Sequence, residues 1–298
     1  MENKNNERDE EIKVIFRGSF DDTEDIRNLV IDEGILEIGE NAFRGFTYLE
    51  SIELPSSLKK ISACAFAECK NLRRVIMKFG VEEILDEAFS SCSALPEIIM
   101  PDSVKRIGEG CFEACASLTR VRLSESVCMI GASAFAFCFN LPEIIIPDSC
   151  VLVEFCAFSG CYSLEGVKLS ANMGLIDEST FEGCRSLKYV DLPTKLVKIG
   201  RRAFKGCTSL TSIILPVCTQ VIGFDGFAGC TSLSRIAIPK GMRELEDEDV
   251  FSGCDSLAEI SFGGSRETWE LLTHGRSLTV QRSDLALATP KVTFMNLD

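Results

Sequence analysis

His274 is the only histidine in the chain, which makes it the first residue to test for chemistry. Ser-His-Asp catalysis needs an imidazole placed between a nucleophile and a carboxylate. Zinc sites built on histidine usually draw on more than one such ring. His274 reads instead as a surface residue near the C-terminus. A thiol-dependent enzyme pairing it with Cys254 is the remaining catalytic alternative, and no spacing demands it. The fifteen cysteines contain no C-x-x-C pair, so neither a zinc knuckle nor a thioredoxin-type centre is supported. Nine of them, Cys69, Cys92, Cys115, Cys138, Cys161, Cys184, Cys207, Cys230 and Cys254, recur at one repeat position. One thiol per repeat reads as a reduced packing column, because free cysteine behaves as a small buried hydrophobe. Oxidation or metal capture is the alternative.

Gly108-Glu109-Gly110 lacks the third glycine of a dinucleotide fingerprint. In the segment from Gly200 to Cys207, lysine precedes the second glycine and no Lys-Ser/Thr pair follows, so it is no phosphate loop. The acidic run from Glu244 to Asp249 lacks the alternating ligands and the glycine of a calcium loop, and reads as a solvated loop. Lys195, Lys198, Arg201, Arg202 and Lys205 form a local basic cluster that could receive an acidic partner, with Glu178 and Asp225 as neutralising neighbours. No catalytic residue, metal or cofactor is expected.

What positions all of these residues is an internal repeat. Leu187 to Pro193 carries L-x-x-V-x-L-P; Leu196 and Ile199 carry L-x-x-I; Ala203 to Cys207 carries A-F-x-x-C. Copies begin 23 residues earlier at Leu164 and 23 later at Leu210. A fixed period of this size marks a solenoid. Phenylalanines 43, 66, 89, 112, 135, 158, 181, 204 and 227 keep the step of 23, and Phe251 follows after 24, beyond an extra residue in the acidic run. The residue before each is small or modest, from Ala42 to Val250, which lets the chain pack closely on the interior. Phe46 replaces cysteine in its own copy. The I-x-L segment alternates with period two, so it is a strand with one face inward. The proline that often follows suits a strand end. L-x-x-I forms a second short extended piece, and the three- and four-residue apolar spacing of A-F-x-x-C-x-x-L suits a short helical turn.

The expected fold is a leucine-rich-repeat solenoid, a right-handed coil of short β-strands with short helical turns, capped at both ends. Residues 1–11 form a mobile acidic tail and 12–262 the solenoid. Its degenerate first coil covers 12–34, with Phe20 in the phenylalanine column and Thr23 in the cysteine column. Residues 263–298 form a cap: a turn and short helix bearing Trp269, then late strands at Leu278-Thr279-Val280 and Val292-Thr293-Phe294.

A formal net charge of −14 and a pI of about 4.7 disfavour a broad nucleic-acid face and anionic lipid. No apolar run approaches the roughly 18 residues of a membrane span. The first ten residues lack the basic start and apolar core of a secretory signal. The chain is therefore expected in the cytoplasm, or at the cell surface or outside if a signal was removed.

These motifs resemble the BspA-like family of leucine-rich repeats, the 23-residue class with a cysteine in the helical turn, over residues 12–262. Gly263 to Trp269 is similar to the end cap of bacterial members. The resemblance implies a non-catalytic binding protein, of a family whose members are often secreted or surface proteins that adhere to host or matrix proteins or to other cells. The alternative is an intracellular interaction module.

The most plausible site is the outward, concave face of the I-x-L sheet. Arg74, Ile76, Glu97, Ile99, Arg120, Arg122, Glu143, Ile145, Lys168, Tyr189, Asp191 and Ile214 fall on its two outer columns. Isoleucines interleaved with Arg, Lys and Tyr suit an apolar-centred, charge-rimmed protein interface. The plainer reading is that isoleucine is a good strand former and that Arg and Glu pair across coils. A protein partner is expected, of unspecified identity; the oligomeric state is left open.

Overall fold

The computed structural model describes residues 14–16, 26–246, 248–275, 280–282 and 287–295. The tail 1–11, Phe20, Thr23, Asp247, Leu278 and Thr279 lie outside the described residues. Each coil has three walls. The I-x-L segments form the long strands, from Asn28–Val30 and Ser51–Leu54 through to Glu259–Phe262. Their pairing is parallel and offset by one repeat, as in Ser51 with Arg74 and Ile52 with Val75. The L-x-x-I segments form two-residue strands such as Lys60–Ile61 and Glu83–Ile84, with the isoleucine buried and its neighbour half-exposed. These short strands make parallel sheets of seven and four.

The third wall carries the phenylalanines and is built from hydrogen-bonded turns. Phe43 N–H donates to the Ala65 carbonyl of the next coil at 2.7 Å, and Gly45 N–H to that of Ala67 at 2.8 Å. The residues between them donate locally: Arg44 to Asn41 at 3.2 Å and Phe46 to Phe43 at 3.1 Å. The helical turn expected here is thus a run of overlapping three-residue-back bonds, regular among the described residues only in the 3-10 helix Glu248–Phe251. Aiming alternate N–H groups at the next coil requires a left-handed residue two before and two after the phenylalanine. Asn41 (φ 55°) and Gly45 (φ 75°) fill those places in one coil, Cys64 (φ 54°) and Glu68 (φ 63°) in the next.

Inside, all ten phenylalanines of the repeat column, from Phe43 to Phe251, are buried. Consecutive rings stack, from 5.1 Å for Phe43 on Phe66 to 5.9 Å for Phe227 on Phe251. Beside them run the column cysteines. Each Sγ donates to the carbonyl of the phenylalanine in the preceding coil, as Cys92 does to Phe66 and Cys254 to Phe227, at 3.2 and 3.1 Å. Burial pushes Cys69, Cys115 and Cys161 up to about 12. It drives Cys92, Cys138, Cys184, Cys207 and Cys230 in the same direction.

The long-strand sheet is interrupted where Pro96 and Pro142 immediately precede a strand. At the matching position in other coils an N–H reaches back one coil: Arg73 to Glu50, Thr119 to Pro96, Glu165 to Pro142, each at 2.8 Å. Proline has no such donor, and no ladder joins Arg74–Met77 to Glu97–Ile99 or Arg120–Arg122 to Glu143–Ile145. Nothing in the structure explains the third interruption, before Ser212–Ile214.

The C-terminal cap begins with α1, Arg266–Leu272, whose Ser265 and Thr268 form a reciprocal capping box. Trp269 and Leu272 face inward, and the Trp269 ring lies 5.1 Å from that of Phe262. The late strand Lys291–Phe294 takes the next rung of the long-strand sheet, pairing Glu259 with Lys291. Val280–Gln281 continues the turn wall, its Gln281 carbonyl accepting from Gly253 N–H.

The buried thiols make a stability prediction with a definite sign. In the fold they keep their protons to about pH 12, whereas in the unfolded chain they ionise near about 8.5. The unfolded state therefore loses protons first, and stability is complete below about pH 8.5 and falls above it. Thermal melts should show a steep fall in Tm from about pH 9 upward, each such thiol contributing about 1.4 kcal/mol per pH unit. A Cys115→Ala/Cys161→Ala variant should fall less steeply; an equal slope would refute buried, protonated thiols.

Candidate interaction face

Every predicted site residue lies on the outward side of the long-strand sheet, because alternate residues of a strand face opposite ways. All twelve are exposed except Ile76, which is half-buried. Register brings them together in blocks. Glu97 stands beside Arg120 and Ile99 beside Arg122. Glu143, Gly166 and Tyr189 form one row, and Ile145, Lys168 and Asp191 another. Arg74 and Ile76 lie in the block before Pro96, beside Ser51 and Glu53. Ile214 lies in the block after the third interruption, beside Ala237.

Some of the charges are already paired. Arg120 reaches Glu97 at 3.5 Å, and Arg122 turns aside to Asp102 at 3.3 Å. Such exposed pairs contribute only about 0–1 kcal/mol. Arg74, Glu143, Lys168 and Asp191 form no ion pair among the described residues. Among them stand Ile145, Tyr189 and Ile214, at 62%, 60% and 78% exposure. The Tyr189 ring lies across Gly166: a Cβ on that glycine would stand 2.1 Å from its Cζ. Gly166 is thus the seat of the ring. The sequence carried this signal, as a glycine in a column otherwise of charged and larger residues, but only cross-strand register reveals it.

The other chemical candidates resolve as local structure. His274 is exposed and follows α1 with φ 54°. In the basic cluster, Lys205 and Arg202 reach Asp225 at 2.6 and 3.5 Å, and Arg201 reaches Glu178 at 3.9 Å. Lys198 reaches Glu246 of the acidic run at 2.9 Å, and Lys195 the Asn172 amide oxygen at 2.8 Å. Among the described residues no three His, Cys, Asp or Glu side chains converge as metal ligands.

A second cluster escaped the sequence reading. Phe137, Phe139 and Tyr162 stand exposed on the turn wall. Phe137 and Phe139 meet edge-on at 6.2 Å, Phe139 stacks on Tyr162 at 5.0 Å, and the Arg185 guanidinium lies 4.6 Å over Tyr162. Phe137 has φ 60° at the left-handed position that glycine fills in the next coil as Gly160, and in Gly183, Gly206, Gly229 and Gly253. A bulky residue there costs about 1–3 kcal/mol. Its ring lies over Gly160, where a Cβ would come within 2.7 Å.

A BspA type leucine rich repeat region in 6 copies matches residues 13–138 and 128–258. Among solved structures, the chain is similar to the T. pallidum leucine rich repeat protein TpLRR, at 26% identity over 66% of this chain and 82% of that one, with a TM-score of 0.49. It is also similar to a leucine rich cell surface protein of Faecalibacterium prausnitzii, at 24% identity over 83% and 90%, TM-score 0.44. A third is the pneumococcal vaccine antigen PcpA, at 22% identity over 95% and 86%, TM-score 0.49. No curated protein is similar to the chain in sequence.

The seat of Tyr189 can be tested by a double-mutant cycle. Gly166→Ala and Tyr189→Ala should be coupled by about 0.5–1 kcal/mol in urea unfolding, because the methyl and the ring claim one place. Additive effects would put the ring elsewhere.

Proposed function

Because the chain belongs to the BspA-type leucine-rich repeat family, we propose that it is a non-catalytic protein-binding scaffold or adhesin that uses the outward long-strand face. The observation that carries this reading is the exposure of Ile145 and Tyr189 beside Lys168, Asp191 and Glu143, which form no ion pair among the described residues, with Ile214 exposed in the next block of the same face. Large apolar and aromatic anchors with charges around them supply most interface energy. A hydrogen-bonded sheet presents them already ordered, which lowers the entropy lost on binding. The mechanism is surface complementarity without bond-making.

The alternative of an intracellular interaction module has its own support. Cys128 and Cys218 are exposed and free, and a chain with such thiols suits a reducing compartment. A membrane-impermeant maleimide applied to intact producing cells separates the two. Labelling of Cys128 and Cys218 before lysis favours surface adhesion; labelling only afterwards favours the intracellular module.

The face itself is tested by Arg122→Glu combined with Tyr189→Ala. The pair should abolish capture of the partner that the wild-type chain retains, from host or matrix extract or from its own cells, with Tm unchanged, since both side chains are exposed. Undiminished capture would move the site off this sheet.

A further inference from the structure

The turn wall is not needed for the reading above, yet it carries an exposed aromatic cluster. Phe137 holds an exposed ring in a backbone conformation that suits glycine, and glycine stands there in the next five coils. Its neighbours Phe139 and Tyr162 are also exposed, so packing alone does not account for the group.

The charges around this patch follow the register of the coils. In the column one residue after the core phenylalanine stand Glu113, Ala136, Ser159 and Glu182. Hydrogen bonds fix their adjacency: Ala114 N–H donates to the Ala136 carbonyl and Gly160 N–H to that of Glu182. The aromatic patch therefore occupies two coils, with small residues beside it and a carboxylate one coil beyond on either side. Neither Glu113 nor Glu182 forms an ion pair among the described residues. Burial, with Glu87 and Glu109 nearby, raises the Glu113 carboxyl above its ordinary range, a repulsion that a cation would relieve. Arg185 is committed to the Tyr162 ring.

We propose that this patch is a second interaction surface, which binds an extended peptide segment carrying an apolar residue flanked on each side by Lys or Arg. Spacing sets the motif. Glu113 and Glu182 are three coils apart, about 14 Å at one strand spacing per coil. An extended chain covers that distance in about four residues and turns every second side chain to the same side. The motif is thus a basic residue, a spacer, an aromatic or large apolar residue, a spacer, and a basic residue. A second copy of this chain fits poorly, because a two-fold axis through the patch would set Glu113 against Glu182. An anionic membrane is repelled by the same carboxylates.

The test is fluorescence anisotropy at low ionic strength with the labelled pentapeptide Arg-Ser-Trp-Ser-Arg. It should bind at least about tenfold more tightly than Arg-Ser-Gly-Ser-Arg or Glu-Ser-Trp-Ser-Glu. Phe139→Ser and the pair Glu113→Gln/Glu182→Gln should each weaken it about tenfold. Phe137→Gly is the informative variant: it removes the ring and relaxes the backbone, so it should weaken binding without lowering Tm. Arg122→Glu with Tyr189→Ala should leave peptide binding intact, which keeps this surface separate from the sheet face. The proposal is overturned if the three peptides bind alike or not at all. It also fails if Phe137→Gly lowers Tm and leaves affinity unchanged, or if the wild-type chain self-associates and Phe139→Ser makes it a monomer.

Discussion

Each coil must close one strand spacing from where it began, with its backbone groups meeting those of the next. Parallel, in-register stacking therefore allows almost no change in the path of the chain from coil to coil. The stacked rings from Phe43 to Phe251, the thiols aimed at phenylalanine carbonyls and the buried small residues before each ring follow from this constraint. Like side chains stack on like at a fixed separation, so one good solution repeats along the chain. The single extra residue before Phe251 is accommodated in the turn that contains the 3-10 helix Glu248–Phe251, and the ring stack continues through it.

Much of this was legible in the sequence, because burial along a solenoid is a matter of residue type at a fixed step. The phenylalanine and cysteine columns and the alternating strand could all be read from spacing. The outer columns of the long strands could be read equally well, since period two assigns each residue to a face. What was not legible depends on backbone torsion or on neighbours one coil away. Left-handed positions are occupied by Asn41, Cys64, Glu68 and Phe137 as well as by glycines, so residue type does not mark them. The seating of Tyr189 over Gly166 and of Phe137 over Gly160 is a relation between coils. Pro96 and Pro142 were visible as residues, but their effect is a missing donor to the coil before.

The outer surfaces inherit rigidity from the same stacking. A side chain on this scaffold has little freedom in its Cα position, so surface differences between coils are differences in side chains alone. On the sheet face they yield exposed Ile145, Tyr189 and Ile214 among unpaired charges. On the turn wall they yield an aromatic group between carboxylates. By contrast, the basic residues near Lys205 are answered by Asp225, Glu178 and Glu246.

The hydrogen bonds between coils do not all run the same way. On the turn wall the N–H groups point toward the C-terminus, as from Phe43 to Ala65; on the long-strand wall they run both ways, back from Arg73 to Glu50 and forward from Met100 to Arg122. The last coil therefore offers donors on the turn wall, and carbonyl acceptors among the groups of the long-strand wall. The cap answers both, with the Gln281 carbonyl on the first and the N–H groups of Lys291 and Met295 on the second. Without those two strands the terminus would be an unfinished template whose natural complement is the opposite end of another solenoid. The C-terminal segment thus occupies the backbone groups that end-to-end pairing of two solenoids would need.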